Sequence, residues 1–454
     1  MQHADLDVVL TGDEFAIPSN ADIRATKVSP DRRCTYLCGN SLGPLAKRSK
    51  YLLQEELHVW ATRAVEAHFN HPHGREWMNI ADTVTPLLSE LVGAKEKEVA
   101  SMGTLTANLH LMMSAFYEPS PTRFKILCEG KAFPSDQYAF ASQAHLHGYD
   151  PKDAIIELFP REGEFTLRES DILDVIAKEG QSIALVIFSG VQYYTGQWFP
   201  MKAITKAAKA QGCICGWDLA HAIGNVPMAL HEWDVDFAVW CSYKYLNSGP
   251  GGIGGLFIHE KWENIKSPRH AGWWGHDPAT RFSMPPKFSA IPGAQGYQQS
   301  NPSVLDTVSL LGSLQVFKEA GMMVPLRDRS VLLTGHLESL LVKSKFYVPV
   351  DDVATKYPRD GPSTDAQKPP PGFTIITPSA PESRGAQLSL LFLPPQSGVM
   401  QSVFDYLLSM GVVGDERKPD VIRLAPAPLY CTKLDCESAA SCIEEAFISL
   451  TNAT

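Results

Sequence analysis

Two residues set the chemical question. Asp218 closes the apolar run 213–218 (CICGWD), and Lys244 follows the apolar run 237–242 (FAVWCS) inside Ser242-Tyr243-Lys244-Tyr245. Ligands of open parallel sheets sit beyond the carboxyl ends of the strands. An acid and an amine at the ends of two successive strands are therefore brought close together. Such a pair suits pyridoxal phosphate, whose aldehyde forms a Schiff base with an amine and whose ring nitrogen must stay protonated, beside a carboxylate, to act as an electron sink. The plainer alternative is a salt bridge near a strand end, the commoner fate of Asp and Lys. Two features favour the chemistry. Lys244 lies between aromatic residues after an apolar strand, where an unused ammonium is costly. The glycines of 249–255 (GPGGIGG) permit close backbone approach to something flat or anionic, though they read equally as a tight loop into a strand at 255–259. They lack the Gly-Lys-Ser/Thr end of a P-loop and follow no strand–helix dinucleotide pattern.

A phosphate also has to be held. Residues 101–108 (SMGTLTAN) precede an apolar helical stretch at 109–116. A helix start offers free N–H groups and a positive dipole end to an anion, while an ordinary N-cap is the commoner reading. Ser189 and Tyr194, beyond the run 183–189, are further hydroxyl candidates. Residues 131–136 (KAFPSD) follow another strand end. They either present Phe133 to a ring or start a helix at Pro134.

These residues need a frame. The runs 125–129, 154–159, 183–189, 213–218 and 237–242 read as buried strands, and 135–145, 170–178 and 201–210 as helices between them. Strands alternating with helices of about 10–15 residues imply crossover units and a mostly parallel α/β sheet covered on both faces. Towards the C-terminus, 304–320, 330–343 and 402–410 read as helices, and 372–377 and 387–392 as strands. Residues 356–372 (KYPRDGPSTDAQKPPPG) are polar and Pro-rich, as an exposed, mobile loop is.

The chain has 454 residues, room for two or three domains, and its 44% hydrophobic content supplies a core. Forty Lys and Arg against fifty Asp and Glu leave a net charge of −10, a poor start for nucleic-acid binding. Residues 1–10 lack a secretory pattern, and no run approaches the roughly 18 apolar residues of a membrane span. The nine scattered cysteines then read as reduced thiols of a cytoplasmic enzyme. Cys213 and Cys215 are too close for usual zinc spacing and are expected to pack as small hydrophobes. His68, His71 and His73 have no second ligand cluster nearby, so no metal is expected.

The chain resembles the kynureninase family, particularly its eukaryotic, fungal branch. The resemblance lies in 38–43 (CGNSLG), 104–110, 131–136, 188–191, 195–197, 218–221 (DLAH), 242–247 (SYKYLN), 272–276 (GWWGH), 300–302 (SNP) and 422–426 (IRLAP), nearly the whole chain in order. It implies a pyridoxal phosphate enzyme of the aspartate aminotransferase-like fold, fold type I. A large cofactor-binding α/β domain with a sheet of the seven-stranded type would span 51–309, and a smaller α+β domain would join both chain ends, 1–50 and 310–454. It implies a homodimer with shared active sites. The family hydrolyses L-kynurenine to anthranilate and L-alanine, and 3-hydroxy-L-kynurenine to 3-hydroxyanthranilate and L-alanine, in tryptophan catabolism and de novo NAD biosynthesis.

Carried over residue by residue, Lys244 is the Schiff-base lysine and later the general base, Asp218 the pyridinium partner and His221 its neighbour. Leu105 and Thr106 meet the phosphate; Phe133, Pro134, Ser135 and Asp136 meet the ring. Ser189 and Tyr243 hydrogen-bond the cofactor, and Tyr243 supplies or relays a proton. Trp273 and Asn301 come from the partner subunit; Trp273 is preferred to Trp274 because it directly follows Gly272. Ser41, His68 and Asn301 face the substrate, and Arg423 clamps its α-carboxylate. A planar guanidinium suits that task, with a surface role for Arg423, or Arg384 in its place, as the alternatives. Trp274 and the 356–372 loop depart from the family pattern. The rival within this chemistry is a cysteine desulfurase, which wants a nucleophilic Cys on a mobile loop.

Overall fold

Seven short apolar runs pair into one sheet: β1 (Val99–Ser101), β2 (Lys125–Glu129), β3 (Ile155–Leu158), β4 (Ile183–Ser189), β5 (Ile214–Asp218), β6 (Phe237–Trp240) and β7 (Gly255–Ile258). The computed structural model describes residues 6–264, 269–358 and 369–452. The spatial order is β1-β7-β6-β5-β4-β2-β3. Neighbours from β2 to β6 run parallel, as expected, and β7 alone runs antiparallel to both β6 and β1. The antiparallel strand follows a short glycine loop in place of a crossover helix, so the 255–259 run turns straight back along β6.

Alternation along β4 feeds two cores. Val186 and Phe188 join Trp217 and Trp240 on one face, while Leu185 and Ile187 join Phe237 and Val239 on the other. The period of two then carries Ser189 and Asp218 to the second face, at the carboxyl ends of adjacent strands. That face is covered by α2 (Leu105–Phe116) and α3 (Pro134–Leu146), which pack on each other. Two helices precede them without a counterpart in the sequence reading: a short one at Thr85–Val92, and α1 (Lys47–Arg63), of which Ser49, Glu56 and Val59 are buried and whose N-cap, Ala46, makes no side-chain cap. Without a cap residue or a broad apolar stripe α1 left no signal. Helices α4 (Glu169–Glu179) and α5 (Met201–Ala210) fall where 170–178 and 201–210 placed them.

The C-terminal part forms an antiparallel sheet of β8 (Gly372–Ile375), β9 (Leu388–Leu393), β10 (Asp415–Arg417) and β11 (Val421–Leu424), in the order β8-β9-β11-β10. Helices α6 (Val304–Glu319), α7 (Met323–Leu341), α8 (Val399–Ser409) and α9 (Lys433–Asn452) accompany it. Helix α7 starts seven residues before the expected 330, because Pro325 falls in the first turn, where a missing N–H costs nothing. The N-terminal segment joins this sheet's side of the molecule, with Thr35 and Tyr36 pairing in parallel with Val412 and Val413. Of the expected loop at 356–372, residues 359–368 lie outside the described residues. Among the described residues, no helix is long and apolar enough to cross a membrane.

Candidate active site

A cavity of about 640 Å³, counted out to its solvent-facing mouth, opens over the carboxyl ends of β4 and β5. Lys244 and Tyr243 from the loop after β6 form one wall, with Asp218, Ala220 and His221 from the end of β5 beside them. Ser189, Val191 and Tyr193 continue from β4. Leu105 and Thr106 open α2, and Phe133, Ser135 and Asp136 surround the start of α3. Ten of the residues named from sequence thus meet in one cavity, although they come from five separate segments. Pro134 does not line it; it occupies the first turn of α3, which it starts.

The lysine sits over aromatic rings, its Nζ 5.9 Å from the Phe133 centroid and 5.8 Å from that of Tyr243. Phe133 stands edge-on to Tyr193 at 5.2 Å. Asp218 Oδ1 accepts from Ala220 N at 2.6 Å, which fixes the carboxylate at the strand end. Burial, and then the neighbouring Asp218, push the Asp136 carboxyl well above the usual range. Burial, helped by the Lys244 charge, pushes His221 well below its usual value, so its imidazole is neutral. Two buried atoms of this wall, Asp136 Oδ1 and His221 Nδ1, have no partner among the described residues.

At the other end of the cavity, Thr106 Oγ1 and Ser135 Oγ lie 2.7 Å apart. Thr104, the N-cap of α2, makes no side-chain cap, so the first-turn N–H groups stay free for an anion. The glycine cluster turns the chain into β7 and lies behind this helix start: a Cβ on Gly254 would stand 3.1 Å from the Thr104 carbonyl carbon. Close packing therefore explains Gly252, Gly254 and Gly255, while Gly249 and Gly251 take positive φ angles in the turn, and none of them lines the lysine cavity. Amine, carboxylates, unpartnered polar atoms, aromatic faces and a free helix N-terminus together fit pyridoxal phosphate.

Besides Pro134, five site residues named from sequence lie outside the wall of this cavity. Ser41 N donates to Cys38 O at 3.0 Å in the turn that leads to Gly43, which meets the lysine loop: Gly43 N donates to Tyr243 O at 2.8 Å and a Cβ on Gly43 would meet Lys244 O at 2.4 Å. His68 packs edge-on against Trp77 at 5.2 Å. Trp273 is 44% exposed, whereas Trp274 is buried under Arg281. Asn301 lines a second cavity of about 880 Å³, beside Gly103 and Thr104, and its buried Oδ1 has no partner among the described residues. Arg423 is fully buried, donating to Tyr193 O at 2.6 Å and ion-paired with Asp415. Its rival Arg384 is held by Glu338 at 2.7 Å, away from the cavity.

Sequence reasoning picked Tyr194 where Tyr193 lines the cavity. It also passed over Glu129, whose partner Ser189 is 60 positions on, and Asp415, whose partner Arg423 comes opposite it only once two strands pair. The nine cysteines are free, eight of them buried and Cys38 half-buried, and none lines the cavity. His71 is buried against Glu56 at 3.0 Å, in a cluster with Arg75 and Trp77 that ties down its loop.

Fold and cavity define the class: an aminotransferase-like enzyme of fold type I, the architecture that pyridoxal phosphate enzymes of class V share. Residues 143–273 match the aminotransferase class-V family and residues 363–443 the kynureninase C-terminal domain. Among solved structures, the cystine C–S lyase C-DES in complex with cysteine persulfide superposes with a TM-score of 0.70 at 16% identity, covering 91% of this chain and 97% of that one. The cysteine desulfurase CsdA from Escherichia coli gives 0.69 at 14%, covering 92% and 95%. At such identities these show the fold alone. Sequence relatives are far nearer. The kynureninase of Yarrowia lipolytica is 50% identical over 92% of this chain and 94% of its own length. That of Saccharomyces cerevisiae is 48% identical over 96% of each, and that of Nematostella vectensis 48% over 97% and 91%. The chain belongs to the kynureninase family.

Proposed function

We propose that this chain uses pyridoxal phosphate to hydrolyse the Cβ–Cγ bond of L-kynurenine, giving anthranilate and L-alanine, and of 3-hydroxy-L-kynurenine, giving 3-hydroxyanthranilate and L-alanine. The reaction belongs to tryptophan catabolism and de novo NAD biosynthesis. The observation that carries this is the meeting of Lys244, Asp218 and the α2 start in one cavity, in a chain about half identical to kynureninases along nearly its whole length. A cysteine desulfurase reading finds no cysteine in that cavity.

Bound there, pyridoxal phosphate supplies an aldehyde that joins covalently to an amine and a protonated ring that withdraws electrons from the adjoining carbon. Lys244 holds the cofactor, gives way to the substrate amine, and then takes the Cα proton at Nζ. Asp218 keeps the ring nitrogen charged, and neutral His221 lies beside it. Phe133 offers a face to the ring, and Thr106, Ser135 and the α2 amides hold the phosphate. Tyr243 donates or relays the proton that the leaving carbon needs; burial raises its phenol, so it acts as an acid that keeps its proton until asked for it. Ser41, His68 and Asn301 face the substrate.

Arg423 receives the substrate α-carboxylate. Its guanidinium is already aimed by Tyr193 O, and Asp415 occupies the place of an anionic partner. Arg423→Lys keeps the charge and loses the two-pronged geometry, so KM for L-kynurenine is expected to rise by about 10–100-fold, the worth of one or two charge-assisted hydrogen bonds. Initial rates over a range of substrate concentrations test this; an unchanged KM would remove Arg423 from the substrate.

The same reading makes the enzyme a cytoplasmic homodimer in which Trp273 and Asn301 complete the partner's site. The exposure of Trp273, and the place of both residues outside the wall of the chain's own lysine cavity, support it. The same reading divides the chain into a large unit at 51–309 and a small unit from both ends, 1–50 and 310–454, a division supported by the seven-stranded sheet lying within 99–258 and the small sheet within 372–424. Mixing Lys244→Ala with Asn301→Ala subunits is the test: one site of each hybrid dimer then has both native residues, so a 1:1 mixture should recover about a quarter of full activity. No recovery, in a mixture shown to exchange subunits, would place Asn301 within its own chain's chemistry.

The overall proposal is tested by the absorption spectrum and by anthranilate fluorescence. A yellow protein whose band is lost on borohydride reduction, and which forms anthranilate from L-kynurenine, is expected. A protein that stays colourless with added cofactor overturns the Lys244 role. Colour without cleavage of either kynurenine overturns the substrate.

A further inference from the structure

Directly behind the cavity lies a carboxylate that the mechanism above does not use. Glu129 ends β2, is 3% exposed and is absent from the cavity wall. Ser189 ends β4, which pairs with β2, and does line that wall. Both donors of the serine turn towards Glu129. Ser189 N lies 3.2 and 3.3 Å from the two carboxylate oxygens, and Ser189 Oγ donates to Oε1 at 2.5 Å.

A serine hydroxyl has one hydrogen. While it is committed to Glu129, the oxygen can only accept from whatever fills the cavity. If Glu129 takes a proton from solvent, the carboxylic O–H donates to Ser189 Oγ and the serine hydrogen is released to point into the cavity. One proton is gained and one hydroxyl rotates; no other bond changes.

We propose that Glu129 is a positioning residue that sets the hydrogen-bonding sense of Ser189 towards the bound cofactor, an acceptor when Glu129 is ionised and a donor when it is protonated. The inference rests on the pyridoxal phosphate reading of the cavity.

The surroundings place the change within reach of neutral pH. Burial, with a smaller push from Asp218, raises the Glu129 carboxyl to about 7 against the pull of the Ser189 donors. Asp218 on β5 and Asp136 at the start of α3 are its acidic neighbours, and Asp136 in turn feels the Lys244 charge. Tyr193 and Cys128 are the other ionisable groups that interact with it, and burial raises both, so both stay neutral. Three buried carboxyls beside one ammonium hold too much negative charge for a dry site, and a proton on one of them relieves it.

The test follows the visible band of the holoenzyme between about pH 5 and 9, a range that brackets a shifted carboxyl. Wild type is expected to show a one-proton step near the Glu129 midpoint. Glu129→Gln keeps the shape and donates to Ser189 permanently, so its band should match the acid-side wild-type band throughout, with no step. Ser189→Ala should also lose the step although Glu129 remains, and Ser189→Thr, which restores a hydroxyl, should regain it. A step of wild-type midpoint in Glu129→Gln overturns the proposal. If that variant fails to load, the same step in Ser189→Ala overturns it, as does a wild-type band that is flat across neutrality. A wild-type protein that takes up no cofactor is a different result, the failure of the cavity reading itself.

Discussion

Lys244→Ala is expected to fold, to give no covalent adduct with pyridoxal phosphate after borohydride treatment, and to turn over L-kynurenine at least about 10³-fold more slowly, since general base catalysis alone is typically worth about 10²–10⁴. The side chain can be removed cleanly. Among the described residues its ammonium makes no ion pair, and its contacts are the faces of Phe133 and Tyr243. The loop around it is held by main-chain bonds that a truncation leaves in place, from Gly43 N to Tyr243 O and from Asn247 N to Lys244 O. A lost activity with an unchanged melting curve therefore reports chemistry and not a collapsed loop. Mass spectrometry after reduction reads the adduct, and anthranilate fluorescence the rate. Turnover near wild type in this variant would mean that another amine does the work assigned to Lys244, and the cavity contains no other lysine in its wall.

Most of the fold that positions this lysine was legible because it is written in local patterns. A strand buried on both faces is a short unbroken apolar run, and 183–189 and 213–218 could hardly be anything else between helical stretches. What failed was carried by tertiary packing. Helix α1 has polar residues on most of its surface and no capping side chain, and its hold on α6 cannot be seen from its own composition. The sense of β7 depends on how the glycines of the preceding loop fit behind Thr104, which is a contact between residues about 150 apart in sequence.

The site was legible to the extent that its residues end strands or begin helices. Asp218 and Ser189 end strands, Lys244 follows one, and Leu105, Thr106 and Ser135 start helices, so the topology alone sends them to one edge. Tyr193 and Tyr194 are adjacent in a loop without a regular period, and nothing local decides which one turns inward. Glu129 reads as a strand end like any other; its meaning comes from Ser189, 60 positions on. Asp415 becomes informative only when β10 is laid beside β11, opposite Arg423. Trp273 and Asn301 are the other kind of difficulty. Their contribution is proposed for the partner's site, so its signal lies in contacts between two chains and not in the local pattern of one.

The second large effect is expected at Asp218, and it separates two carboxylates that lie side by side. Asp218→Asn preserves the shape and can still accept from Ala220 N through its amide oxygen. Its NH2 group, however, donates a hydrogen bond and so favours an unprotonated ring nitrogen, where the native carboxylate favours a protonated one. The cofactor should remain bound while kcat falls about 10²–10³-fold, the usual loss when one preorganised electrostatic partner is removed from a buried site. Asp136 is the internal control. Burial and the neighbouring Asp218 push its carboxyl well up, so it is the member of the pair that keeps its proton and cannot supply the charge. Asp136→Asn should accordingly cost much less than Asp218→Asn. Steady-state rates, normalised to cofactor content measured by absorbance, make the comparison. If the ranking came out reversed, the ring nitrogen would face Asp136, and the strand-end carboxylate would serve only to hold the turn at Ala220.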